Sequence, residues 1–119
     1  MKLNEAIRDH QEVRDLLKRY IARETPQTGL GLFNIGRDTS CPLGEWMYRS
    51  KTIHSLAELP EFQHLIMVHQ NFHGLAYAVL TLALNHKNDE ALALLDGAYT
   101  VVEAELIGAI QALGATQQD

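Results

Sequence analysis

The sequence predicts an all-α fold: an antiparallel four-helix bundle with a long loop between helices 1 and 2. Three observations lead to it. Apolar residues recur at spacings of three and four through three long stretches, the period at which one face of a helix meets a core. The turn formers Pro26, Gly29, Gly31, Asn34 and Gly36 crowd the one long stretch where that period breaks, residues 25–40. The turn His86-Lys87-Asn88 is short, so the two helices it joins run antiparallel.

Length and composition narrow the class. A chain of 119 residues is one domain (residues 1–119, with a core of about 2–115) and can bury a core without disulfides. Hydrophobic residues are 46% and charged residues 21%, an ordinary globular balance that argues against disorder. The net charge of −5, with no lysine or arginine cluster, argues against a nucleic-acid partner and against a basic membrane-surface helix. No apolar run reaches the ~18 residues of a membrane span, and Met1 to Tyr20 lacks the continuous apolar stretch of a signal peptide. The single cysteine forms no intrachain disulfide, and a reducing cytoplasm is expected.

The first helix is expected from about Leu3 to Glu24, with Leu3, Ile7, His10, Val13, Leu17 and Tyr20 on one face. Leu30, Leu32, Phe33 and Ile35 would pack the following loop onto the helices. A second helix begins at Cys41 or Pro42, since proline suits the first helical position, and presents Leu43, Trp46, Met47 and Ile53 or His54. The third runs from about Pro60 to Asn85, about 40 Å, with Phe62, Ile66, His69, His73, Ala76, Leu80 and Leu84 in line. Gly74, beside His73, is expected to admit another helix. The fourth opens with Asn88 or Asp89 as N-cap and presents Leu92, Leu95, Tyr99, Val102, Leu106, Ile110 (or Ala109) and Leu113 before Gly114 ends it. Leu94, Val101 and Ile107 are apolar on other faces and suggest a second copy of the chain as partner.

Four residues on these elements carry chemistry. His69 and His73 are four apart, so both imidazoles leave one side of the helix and can reach one ion. One histidine on an apolar face is ordinarily a core residue with a single hydrogen-bond partner. Two on one stripe leave four ring nitrogens to satisfy where water is scarce, and a shared cation satisfies them. His10 holds a core position on helix 1. Cys41, at the start of helix 2, completes a three-histidine, one-thiolate set, the donors of a closed tetrahedral zinc site. The helix N-terminus favours the thiolate. Asp38, Glu103 and Glu105 are candidates to orient the ligating imidazoles from behind. His54, His64 and His86 read as solvated or as helix ends. Glu61-x-x-His64 matches the di-iron carboxylate motif, but the inward stripes carry no second such motif and no further glutamates. No nucleophile triad, phosphate loop or inward carboxylate pair is present, and catalysis is not expected.

Cys41-Pro42-Leu43-Gly44-Glu45-Trp46 resembles the C-x-L-G-x-W signature of the chemoreceptor zinc-binding domain family, and His69-Gln70-Asn71-Phe72-His73 resembles its H-x-x-x-H pair. Ala6-Ile7-Arg8-Asp9-His10 is similar to the stretch that carries its first histidine, and Leu59-Pro60-Glu61-Phe62 to the lead into its third helix. The similarity spans about residues 2–115. It implies a four-helix bundle, generally homodimeric, with one zinc held by His10, Cys41, His69 and His73. It further implies a regulatory role in bacterial chemotaxis or diguanylate cyclase signalling, sensing zinc or oxidants such as hypochlorous acid through Cys41. Val13 stands where many members carry an aromatic residue. The chain contains no output segment, so it is expected to regulate a partner in trans, unless it is part of a longer chain. Two other functions suit the same residues: a metalloenzyme with an open three-histidine site, and a metal-free helical interaction module.

Overall fold

The computed structural model describes residues 3–23, 41–50 and 54–116, apart from the side chains of residues 50, 54 and 55. The expectations for Leu30, Leu32, Phe33, Ile35, Asp38 and Ile53 lie outside the described residues. The described chain is helical throughout, joined by turns: α1 (Leu3–Ile21), α2 (Pro42–Ser50), α3 (His54–Ala57), α4 (Pro60–Leu84), α5 (Asn88–Leu94), a π turn (Leu95–Tyr99) and α6 (Thr100–Thr116). The last three follow directly on one another, kinked at Gly97, as the fourth helical segment. With α1, α2 and α4 it makes the expected all-α bundle. The one-turn helix α3 was not anticipated.

α4 is the axis of the molecule. It packs against α1 on one side and against α5 and α6 on the other. Its buried residues therefore exceed a single stripe, adding Leu65, Val68, Phe72, Val79 and Ala83 to those expected. Leu84, expected inside, is 48% exposed, and Gly74 faces solvent with nothing within 4 Å of where a side chain would begin. It therefore admits no neighbouring helix. The core closes around Leu17, Phe62, Leu65, Phe72, Leu80, Leu106, Ile110 and Leu113, all at 1% exposure or less.

The ends of α4 follow from local chemistry. Leu59 is extended (φ −67°, ψ 129°) and Pro60 opens the helix with no side-chain cap. At the other end His86 takes a left-handed φ of 62°. Its N–H donates to the Ala83 carbonyl at 3.1 Å, and that of Lys87 donates to Leu82 at 2.9 Å, the paired bonds of a Schellman cap. The chain reverses there, and Lys87, not Asn88 or Asp89, is the residue before α5. Arg23, also left-handed (φ 67°), ends α1 and clamps this turn, donating to the Ala83 carbonyl at 2.8 Å and to Asn88 Oδ1 at 3.1 Å.

The fourth predicted helix is not one α-helix. A π turn interrupts it, with Gly97 outside helical dihedrals (φ −98°, ψ −105°). Upstream of that turn the segment is rotated. Ala91 is fully buried, whereas Leu92, expected on the core stripe, is 42% exposed; downstream, in α6, Val102 is only half-buried. Gly114 does not end the helix, which runs on to Thr116. A side chain there would begin 3.0 Å from Leu3 Cδ1, so Gly114 lets the start of α1 settle on α6.

Candidate metal centre

His10 is delivered by α1, His69 and His73 by α4, and Cys41 by the residue preceding α2. The three histidines are buried, with exposures of 3%, 0% and 3%, and Cys41 is half-buried. One donor atom from each lies within 4.8 Å of all the others. This brings together the four residues expected as ligands. Backbone geometry places the sulfur. The N–H of Glu45 donates to the Cys41 carbonyl at 2.9 Å, and that of Gly44 donates to Sγ at 3.3 Å, so Cys41 caps α2 with its side chain. A sulfur so placed faces the positive end of a helix, which favours negative charge on it. Leu43 and Met47 are buried, and Trp46 meets Phe62 edge-on at 6.3 Å, which fixes the start of α2 against α4.

Four edges of the cluster are informative. His69 Nε2 lies 3.0 Å from His10 Nε2, 3.0 Å from His73 Nε2 and 3.2 Å from Cys41 Sγ, and Sγ lies 3.6 Å from His10 Nε2. Zinc bonds of about 2.0–2.1 Å to nitrogen and about 2.3 Å to sulfur imply tetrahedral edges of about 3.3 Å between nitrogens and about 3.6 Å from nitrogen to sulfur. These four of the six edges fall within about 0.4 Å of those values, and all six lie within 4.8 Å.

Proton accounting points the same way. His10 Nδ1 is 2.7 Å from the Ala6 carbonyl, which only accepts, so Nδ1 carries the proton. Neutral His10 then aims a bare Nε2 lone pair at His69. His69 Nε2 has at most one hydrogen for three neighbours, the nitrogens of His10 and His73 and the sulfur. At distances this short, unshared lone pairs facing one another are unfavourable. A cation among them satisfies every donor at once. Burial keeps the His10 and His69 rings neutral, with lone pairs ready for an ion. It lowers His10 from 6.5 to about 4, helped by the nearby His73 and opposed by the Ala6 bond. It lowers His69 from 6.5 to about 2, with His73 and His10 adding to the effect.

The outer contacts differ from those expected. The N–H partner of His10 is the carbonyl of Ala6, one turn back on its own helix. His69 Nδ1 is buried and has no partner among the described residues, so neither Glu103 nor Glu105 orients it. Glu103 is engaged by Arg14, whose guanidinium approaches its carboxylate at 3.3 Å, and Glu105 is exposed. A helix-to-helix ion pair takes Glu103 away from the site. Asp38 lies outside the described residues. His64 and His86 are exposed, and Glu61 approaches no metal-binding group of the described residues, as expected of bland positions.

An aromatic stack behind the ligands escaped the sequence reading. The ring of Phe72 stands edge-on to His10 at 5.3 Å and to His73 at 5.4 Å, and it packs on Tyr99 at 5.2 Å. The Arg14 guanidinium lies over the Tyr99 ring, 5.3 Å from its centroid. The spacing of Phe72 between the two histidines was the available signal. No family model, curated protein or solved structure matches the chain.

Proposed function

We propose that the chain is a zinc-binding regulatory module of bacterial signal transduction, its ion held by His10, Cys41, His69 and His73. The observation that supports this reading is the buried convergence of three histidine nitrogens and one cysteine sulfur within 4.8 Å. Three imidazoles and a thiolate are a donor set suited to zinc among the common divalent ions. With all four positions of a tetrahedron supplied by the chain, no place is left for water or substrate, and a structural or sensory role fits better than catalysis. The likeness of Cys41–Trp46 and His69–His73 to the chemoreceptor zinc-binding domains supplies the signalling context. In that context the chain acts as a cytoplasmic homodimer on a chemoreceptor or diguanylate cyclase in trans.

Bound zinc supplies a cross-link between three segments and holds the sulfur as a thiolate. Cys41 is the responsive member. It is half-buried where the histidines are buried, and it caps a helix of only nine residues. Hypochlorous acid transfers its oxygen to the Cys41 thiolate: a sulfur–oxygen bond forms, the oxygen–chlorine bond breaks, chloride leaves with the electron pair, and sulfenic acid retains the proton. The oxidised sulfur is a poorer donor, and the start of α2 loses its tie to α1 and α4.

Elemental analysis of the purified chain and of Cys41→Ala and His73→Ala tests the reading. The wild type should carry about one zinc per chain and each variant markedly less. Full-strength zinc binding and an unchanged oxidant response in Cys41→Ala would overturn it.

A further inference from the structure

The π turn is tied to the helix that carries His10. In a π turn a carbonyl is bonded five residues on, and hydrogen bonds of this kind are less favourable than the regular α pattern. Here the Leu95 carbonyl accepts the hydroxyl of Thr100 at 2.8 Å, five residues on, and that hydroxyl accepts Arg14 Nη2 at 2.7 Å. Arg14 lies one turn beyond His10 on α1 and also binds the Glu103 carboxylate at 3.3 Å. Hydrogen bonds thus run from α1 through the Thr100 hydroxyl to the Leu95 carbonyl at the start of the kinked segment, while the Thr100 backbone N–H donates to the Gly97 carbonyl. On the inner side Tyr99 packs on Phe72, whose edges meet His10 and His73.

The fourth helical segment also has an alternative register available. Leu92, Leu95, Tyr99, Val102 and Leu106 follow the spacing of an uninterrupted α-helix. In the observed register the π turn sets Ala91 inside and leaves Leu92 42% exposed. Closing the turn to α geometry rotates the short α5 by about one residue, roughly 100°. It would bring Leu92 to the core and take Ala91 outward. The two registers differ by a regular backbone hydrogen bond and a leucine on one side, against the Arg14–Thr100–Leu95 contacts and the close fit of Ala91 on the other.

We propose that the segment Leu95–Tyr99 is a two-register switch that reports occupancy of the metal centre, with Arg14 and Thr100 as the residues that hold it in the π register. The proposal rests on the metal-binding reading above. An ion on His10 fixes α1, and α1 presents Arg14 to Thr100. When the centre empties, α1 loosens, Arg14 releases Thr100, and the turn closes to α with Leu92 inward. The signal then leaves the molecule as a rotated α5 surface, far along the bundle from Cys41. Each state has its own contacts, as a ligand-driven shift requires.

Amide hydrogen exchange on the full chain, zinc-loaded and chelator-stripped, tests this in the wild type and in Thr100→Val and Thr100→Ser. Zinc content is measured on the same samples. Removing zinc from the wild type should speed exchange in α1. It should slow exchange at residues 98–100 by about threefold to tenfold, because those amides take up regular α bonds in place of their arrangement at the kink. Thr100→Val should bind zinc normally yet show the slowed exchange even when loaded. Thr100→Ser keeps the hydroxyl and should behave as wild type. Zinc bound in full, with exchange at residues 98–100 unchanged or faster on its removal, would overturn the switch and leave the metal site standing. Failure of the wild type to bind zinc would overturn both.

Discussion

At the scale of single residues, the centre is a problem in placing protons. His10 gives its one hydrogen to Ala6, and His69 has three neighbours competing for one. Removal of any ligand leaves the others facing one another, so His73→Ala should weaken zinc binding about a hundredfold or more, read by chelator competition. Acid acts on the same groups. His10 and His69 protonate near 6.5 when unfolded and near 4 and 2 when folded, so the unfolded chain binds more protons in the interval between. Their contribution is complete above pH 6.5 and is lost as pH falls. The metal-free chain should lose up to about 1.4 kcal/mol per pH unit for each histidine, measured by urea denaturation from pH 7 to 4.5. Tyr99 offers a converse case. Its hydroxyl is buried without a partner among the described residues, and burial, then the Glu103 carboxylate, raise its pKa. Tyr99→Phe should be neutral or stabilising by up to about 1 kcal/mol, whereas most core changes destabilise. The four candidate ligands were legible because period and residue type mark them: a histidine on an apolar stripe is conspicuous. Their partners were not. Whether Glu103 faces His69 or Arg14 depends on how one helix is rotated against another, which spacing along a single chain does not specify.

At the scale of elements, the bounds of α1 and α4 follow their apolar periods, and Pro60 marks a start as expected. The misreadings share a cause. Leu84 and Leu92 belong to single straight stripes, and Gly74 was placed by its neighbour His73, yet α4 is packed from two sides and the last helical segment changes phase at its π turn. A single turn of altered hydrogen bonding leaves little trace in a sequence whose leucines suit either phase. The α4–α5 turn was legible in length but not in chemistry. His86 holds the left-handed position that glycine favours, at a cost of about 1 kcal/mol or more. His86→Gly should therefore stabilise the chain by roughly 0.5–1 kcal/mol, seen as a higher urea midpoint at unchanged slope.

At the scale of the whole molecule, the metal centre is where three separate segments meet. α1, the start of α2 and the middle of α4 each contribute, and α2 is the shortest of the three. Zinc bound as proposed would stabilise the fold because the unfolded chain does not hold the four donors together, so chelation should lower the melting temperature and expose residues 41–49 to exchange first. His10, Cys41, His69 and His73 are proposed to close one tetrahedral site together. The absorption spectrum of the cobalt-substituted chain tests that claim most directly, because cobalt reports both coordination number and sulfur ligation. One equivalent of cobalt should give the intense visible bands of a tetrahedral ion and a near-ultraviolet thiolate-to-metal band. That thiolate band should be absent in Cys41→Ala. Weak bands of an octahedral ion, or no thiolate band in the wild type, would contradict it.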